Sequence, residues 1–177
     1  LTADADPIIA HVAVQNLVSL KAFEPCLAAF DAGESQKYQN GAALVLQSLH
    51  EPAVVSGLTH RLETVSESAK RTAILKVLCR LYQREAAWDG KWWGTRPDTS
   101  GPYFKPETWE ESTRIAEALR RVVPALDAQT MTLISSEILK NRIELPELLS
   151  LAFKVAESSP AARASLVDLL SGRTGVA

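Results

Sequence analysis

A chain of 177 residues with a net charge of −2 is long enough to bury about 70% of its unfolded surface, so it can form a core without disulfide or metal staples. The near-neutral balance gives no general attraction for nucleic acid or an anionic membrane surface, and no apolar run approaches the roughly 18 residues needed to span a bilayer. Hydrophobic residues make up 46% of the chain but aromatics only 6%, so the core is expected from Leu, Ala, Val and Ile, which suits packed helices.

Asp6 followed by Pro7 reads as an N-cap and a first-turn proline, and Ile8, Ile9, Val12, Ala13, Leu17 and Leu20 recur at helical spacing. The spacing predicts a helix over about 6–20. Phe23, Cys26, Leu27 and Phe30 form a second apolar stretch that ends at Gly33, a residue suited to the left-handed C-terminal position. The pattern then restarts. A helix over 35–49 carries Ala42, Leu46 and Leu49, and Pro52 opens another through Val54, Val55, Leu58 and Leu62. The next is expected to begin near Thr64 to Ser66, with Glu67 completing a capping box, and to run through Ile74, Leu78 and Leu81.

Three of these helices share one signature counted back from a final leucine: Ala13, Leu17, Leu20; Ala42, Leu46, Leu49; Ile74, Leu78, Leu81. The steps between them are 29 and 32 residues. Self-similarity at this period, with two helices per unit, is the mark of an α-solenoid whose hairpins bury their faces only against neighbours.

Farther on, Thr108-Trp109-Glu110-Glu111 reads as a capping box for a helix through Ile115, Ala118, Leu119, Val122 and Val123, which Pro124 ends. Asp127 can cap a helix carrying Met131, Leu133, Ile134, Ile138 and Leu139, and Pro146 opens another to about Glu157. Ser159-Pro160 opens a last helix with Ala162, Leu166 and Leu169, closed by Gly172. The expected fold is all-α: one HEAT-like repeat domain over 1–177, with about four hairpins in a right-handed curved stack. A final half-repeat without a partner, and a start at Leu1 rather than Met, suggest a fragment of a larger multidomain protein.

One stretch breaks the pattern. Ala87 to Trp109 holds six of the eleven aromatics, three of eight glycines and three of nine prolines, so it reads as a long loop inserted over about 85–107 in the third hairpin. Its aromatic content argues against disorder. In one reading Trp88, Trp92, Trp93 and Trp109 fold back as a secondary core, with Asp89, Arg96 and Asp98 tying the loop to itself. In the other, Trp92, Trp93, Arg96, Asp98 and Tyr103 present a partner-binding surface, since Trp, Tyr and Arg dominate interface energy. Trp88 and Trp109, next to helices, are assigned to the core in either case. Sugar stacking on the Trp faces is a third reading.

Groups for catalysis are not gathered by spacing. His11, His50 and His60 fall in different helices or at helix ends, and no HExxH, GxSxG, phosphate loop, CxxC or CxxCH occurs. No catalytic residue, metal site or cofactor is assigned, and Cys26 and Cys79 read as buried free thiols. Lys76, Arg80 and Arg84 fall at i, i+4, i+8, a basic stripe that is either a solvated helix face or a docking patch for an acidic partner.

The run YQREAAWDGKWWGTRPDTSGPYFKPETWE, and WWGTRPDT and GPY in particular, resembles a loop in the HEAT-repeat region of large exported proteins of planctomycete-type bacteria. These are labelled membrane-bound dehydrogenases or haem-binding proteins, and can join a β-propeller, a HEAT array and a c-type cytochrome domain in one chain. The resemblance implies an exported, cell-envelope setting and a non-enzymatic linking role toward other domains of the same chain or a protein partner. It brings no catalytic residues, and nucleic acid and direct membrane insertion are not expected. A carbohydrate-binding module using the aromatic loop is the alternative.

Overall fold

The capping and proline signals place most of the helices. The computed structural model describes residues 2–31, 35–87, 90, 103, 105–158 and 163, and among these the chain is mostly helical. Asp6 accepts from the Ile8 amide at 2.8 Å and starts α1, Pro7–Ser19. Ser35 accepts from Tyr38 and starts α3, Gln36–Leu46, after the six-residue α2, Phe23–Ala28. Pro52 and Pro146 open α4, Pro52–Thr64, and α8, Pro146–Ser158, where a missing N–H has no consequence. Asp127 takes the Thr130 amide at 2.9 Å at the head of α7, Ala128–Lys140. Those two bonds from Thr130, through its amide and its hydroxyl, hold the Asp127 carboxyl below its ordinary pKa.

Two expected capping boxes do not form. Helix α5 spans Ser68–Leu81 and begins after Glu67, while the Thr64 hydroxyl bonds the Arg61 carbonyl one turn back in α4. Helix α6 spans Ser112–Val122, because Thr108 is used in a strand. That strand, β2 (Pro106–Thr108), pairs antiparallel with β1 (Gln83–Glu85), in the register Gln83 to Thr108, Arg84 to Glu107 and Glu85 to Pro106. The ribbon was not expected from the sequence. It closes the two ends of the aromatic segment on each other, and the Ala86 amide donates to Lys105 O at 2.8 Å one step further out. A 3₁₀ turn, Val123–Ala125, follows α6 at Pro124.

Gly33 and Gly172, the two glycines expected to close helices, lie outside the described residues, as does nearly all of the last expected helix. Helices α1 and α7 are followed by non-glycine residues in the left-handed region, Lys21 (φ 50°) and Arg142 (φ 54°). Each closes a Schellman motif: Ala22 N–H reaches Leu17 O at 2.9 Å, and Ile143 N–H reaches Ile138 O at 2.9 Å. The bonds to otherwise orphan carbonyls offset the roughly 1–2 kcal/mol that a side chain costs in this conformation.

The helices lie in two rows. The odd-numbered ones touch in series, α1 to α3 to α5 to α7, and the even-numbered ones likewise, α2 to α4 to α6, with α8 against the turn that follows α6. Helix α5 is central, in contact with α3, α4, α6 and α7. Ile74, Leu75, Val77, Leu78, Cys79 and Leu81 bury a broad apolar face of it and leave Lys76 at the surface.

Ion pairs link the even row along its length. Arg61 makes a bidentate pair with Asp31 after α2, Glu63 of α4 meets Arg121 of α6 at 2.9 Å, and Arg120 of α6 meets Glu147 of α8 at 2.6 Å. The Arg120 bond holds the Glu147 carboxyl below its ordinary pKa. These pairs are largely exposed, so solvent screens them and they act mainly on register.

The positions of the three-residue pattern are buried at Ala42, Leu46 and Leu49 and at Ile74, Leu78 and Leu81, and the first instance departs from this most at Leu20. Leu49 and Leu81 are buried, but Leu20 is 76% exposed, because it caps the end of α1, where the chain turns sharply at Lys21. Equivalent letters therefore carry unequal energies. Leu78→Ala is expected to destabilise the fold by about 2–5 kcal/mol, and Leu20→Ala to stay within about 0.5 kcal/mol of the parent. Urea unfolding of the two variants checks this, and a Leu20→Ala loss matching that of Leu78→Ala would contradict the assignment.

Candidate functional site

The last carbonyls of a helix have no partner within it, and a buried helix end must find donors elsewhere. At the end of α5 the chain turns directly into β1, leaving the carbonyls of Arg80, Leu81 and Tyr82 facing inward. Each is met by a side chain from the far end of the aromatic segment or the start of α6. Tyr103 O–H donates to Arg80 O at 3.2 Å, Trp109 Nε1–H to Leu81 O at 2.7 Å, and Ser112 Oγ–H to Tyr82 O at 2.7 Å. The next carbonyl, Gln83 O, lies 3.0 Å from Nε2 of His50, in the turn between α3 and α4. Ser112 Oγ also accepts from the Trp109 amide at 2.8 Å, locking the approach to α6.

Rings pack over this row of bonds. His50 meets Trp109 edge to face with centroids 5.3 Å apart, and meets Tyr103 in the same way at 5.8 Å. The Arg80 guanidinium lies 3.8 Å from the centre of the Tyr103 ring, a cation–π contact. Because Gln83 O can only accept, the proton of neutral His50 is assigned to Nε2; the Tyr103 oxygen, 3.3 Å away, is a second acceptor for it. Burial lowers the His50 pKa, the bond to Gln83 O opposes that, and the charges of Arg80 and Arg84 lower it further. His50 is therefore neutral at pH 7.

Trp109 is buried at 9% exposure, as expected. Tyr103 differs from expectation: assigned to a presented surface, it is only 8% exposed, because its hydroxyl is needed at Arg80 O and its face is covered by Arg80. Trp92, Trp93, Arg96 and Asp98, the other four residues assigned to that surface, lie outside the described residues, as do Trp88 and Asp89.

The basic stripe is not a single face. Arg80 is turned onto Tyr103, Arg84 pairs with Glu107 across the ribbon at 2.8 Å, and Lys76 is exposed. Both cysteines are buried free thiols, and burial raises the pKa of each, Cys79 most strongly. Such thiols are poor nucleophiles. Among the described residues no group of three His, Cys, Asp or Glu side chains is placed to hold a metal, and no helix is long and apolar enough to cross a membrane.

Sequence reasoning missed His50, Arg80 and Ser112 as parts of one site. The available signal was local: a long aromatic segment leaving the C-terminus of a helix that ends in a run of apolar residues must return donors to that end. What the cluster does chemically is hold, through hydrogen bonds to main-chain carbonyls. Trp109→Phe, which removes only the indole donor, is expected to destabilise by about 1–3 kcal/mol because Leu81 O stays buried without a partner. Trp109→Ala is expected to cost about 3–5 kcal/mol. Equilibrium urea unfolding measures both, and a Trp109→Phe midpoint equal to the parent's would contradict the role given to the indole nitrogen. In comparisons with family models, characterised proteins and solved structures, the chain matches none of them.

Proposed function

We propose that the chain is a non-enzymatic scaffold, a HEAT-like α-solenoid of about four helical hairpins that holds the aromatic segment as a docking element for other domains of a larger exported redox protein. The observation that carries this reading is the capping of α5 by Tyr103, Trp109 and Ser112. These bonds anchor Tyr103 and Trp109 to the central helix, and anchored residues cost less to order when a partner binds. The two rows of helices in serial contact support the solenoid, whose units bury their faces on their neighbours. Trp92, Trp93 and Arg96 are of the types that dominate interface energy, and Asp98 adds a polar partner beside them. The exported setting and the identity of the partner as a neighbouring domain rest on the resemblance of the WWGTRPDT and GPY runs alone.

The rival reading is a carbohydrate-binding module in which pyranose rings stack on the Trp side chains. Titration calorimetry separates the two. The scaffold reading expects binding to a neighbouring propeller or cytochrome domain of the parent protein, weakened tenfold or more by Trp93→Ala and Arg96→Ala with the melting temperature unchanged. Millimolar or tighter binding of simple sugars, lost in Trp93→Ala, would instead favour the carbohydrate module.

A further inference from the structure

The first helix of the odd row leaves bare a flank that the later helices of that row keep covered. By the steps of 29 and 32 residues that relate the three leucine patterns, Ile9, Val12, Asn16 and Leu20 correspond to Tyr38, Gly41, Val45 and Leu49, and then to Lys70, Ala73, Val77 and Leu81. Val45, Leu49, Val77 and Leu81 are buried, and Tyr38 and Ala73 pack against the core. On α1 the same flank lies open: Ile9, Val12 and Leu20, with Ile8 beside them, are each at least 44% exposed. Terminal helices of a stacked array ordinarily turn a polar face to water. Helix α1 does not, for Pro7–Ser19 contains no Asp, Glu, Lys or Arg. The charges stand just outside it, Asp4 and Asp6 before the helix and Lys21 after it. Lys21 is paired with Glu51 at 2.6 Å and still keeps 68% of its side chain exposed, so it is open to a second carboxylate.

We propose that this flank is a dimer contact, in which α1 packs antiparallel on α1 of a second copy of the chain about a two-fold axis. Such an interface uses one patch twice and must be complementary to itself. This flank is: it brings no like charges together along its length, and the antiparallel arrangement turns the Asp6 end of each copy toward the Lys21 end of the other. A parallel arrangement would set acid against acid. With the axis near the middle of the helix, Ile8 and Ile9 of one copy meet Leu20 of the other, and the two Val12 side chains flank the axis. The contact continues the odd row across the axis, since α1 is then held between two helices as α3 and α5 are. One helix pair is small beside the roughly 1,200–2,000 Å² of a standard interface, so the dimer is expected to dissociate on dilution. The proposal does not depend on the scaffold reading, because it concerns the first helix and not the aromatic segment.

Sedimentation velocity on the whole chain, from about 10 μM to about 1 mM, tests it. The wild type is expected to pass from monomer toward dimer over this range. Val12→Glu and Val12→Lys each set like charges across the axis and are expected to stay monomeric. An equal mixture of the two is expected to dimerise again, a rescue that a merely structural defect would not show. A wild-type chain still monomeric at about 1 mM, either Val12 variant dimerising like the wild type, or a mixture that stays monomeric overturns the proposal. Should either variant fail to fold, NMR of the wild type on dilution decides. Amide shifts that move between Ile8 and Leu20 support the contact, and shifts that move only elsewhere, or not at all, overturn it.

Discussion

The fold depends on a central helix whose last turn is buried and therefore cannot leave its end to water. Helix α5 contacts α3, α4, α6 and α7 and buries Ile74, Leu75, Leu78 and Leu81 completely. Burying such a helix is favourable at about 25 cal/mol per Å² of apolar area, but the same burial strips water from its last carbonyls, and each one left unpaired costs about 1–3 kcal/mol. Hydroxyl and indole donors resolve that conflict, and the chain carries them on the far side of its aromatic segment. The segment is thus part of how the central helix is completed rather than an ornament on a finished array.

Several other features follow from this arrangement. The β1–β2 ribbon brings Trp109 back to α5 in the right register, because pairing Gln83 with Thr108 sets the next residue beside the Leu81 carbonyl. Ser112 then serves two elements, accepting from the Trp109 amide and donating to Tyr82 O, so that α6 cannot begin at Thr108 without breaking the cap of α5. On the even row the exposed pairs Arg61–Asp31, Arg121–Glu63 and Arg120–Glu147 join successive helices. They add little stability in water, yet like charges at those positions would oppose the observed neighbours.

Helix positions were legible from sequence wherever one residue type has one strong local meaning. Asp6-Pro7, Pro52, Asp127 and Pro146 each begin a helix for reasons confined to a few residues. Trp109 was legible as core because it stands beside a helix. The misses were non-local. Thr108 offers the same capping chemistry as Asp127, but pairing with Gln83, far back in the chain, takes it into a strand. Lys21 and Arg142 end helices in a conformation that favours glycine, and the bonds that hold them there are not written in their side chains. Leu20 matches the repeat in letter and not in burial, since a repeat buries a face only where a neighbour covers it. Tyr103 looked available as a surface aromatic because the demand of Arg80 O for a donor is a property of the backbone, invisible to composition.

The tie between Trp109 and the end of α5 is reported most directly by the indole proton of Trp109, through its bond to Leu81 O. Its hydrogen exchange can be followed by NMR at neutral pH beside the backbone amides of Ile74 to Leu78. The account predicts that the indole proton exchanges only with unfolding of the array, with protection matching those core amides. Exchange at the rate of a solvent-exposed indole, while the α5 amides stay protected, would contradict it.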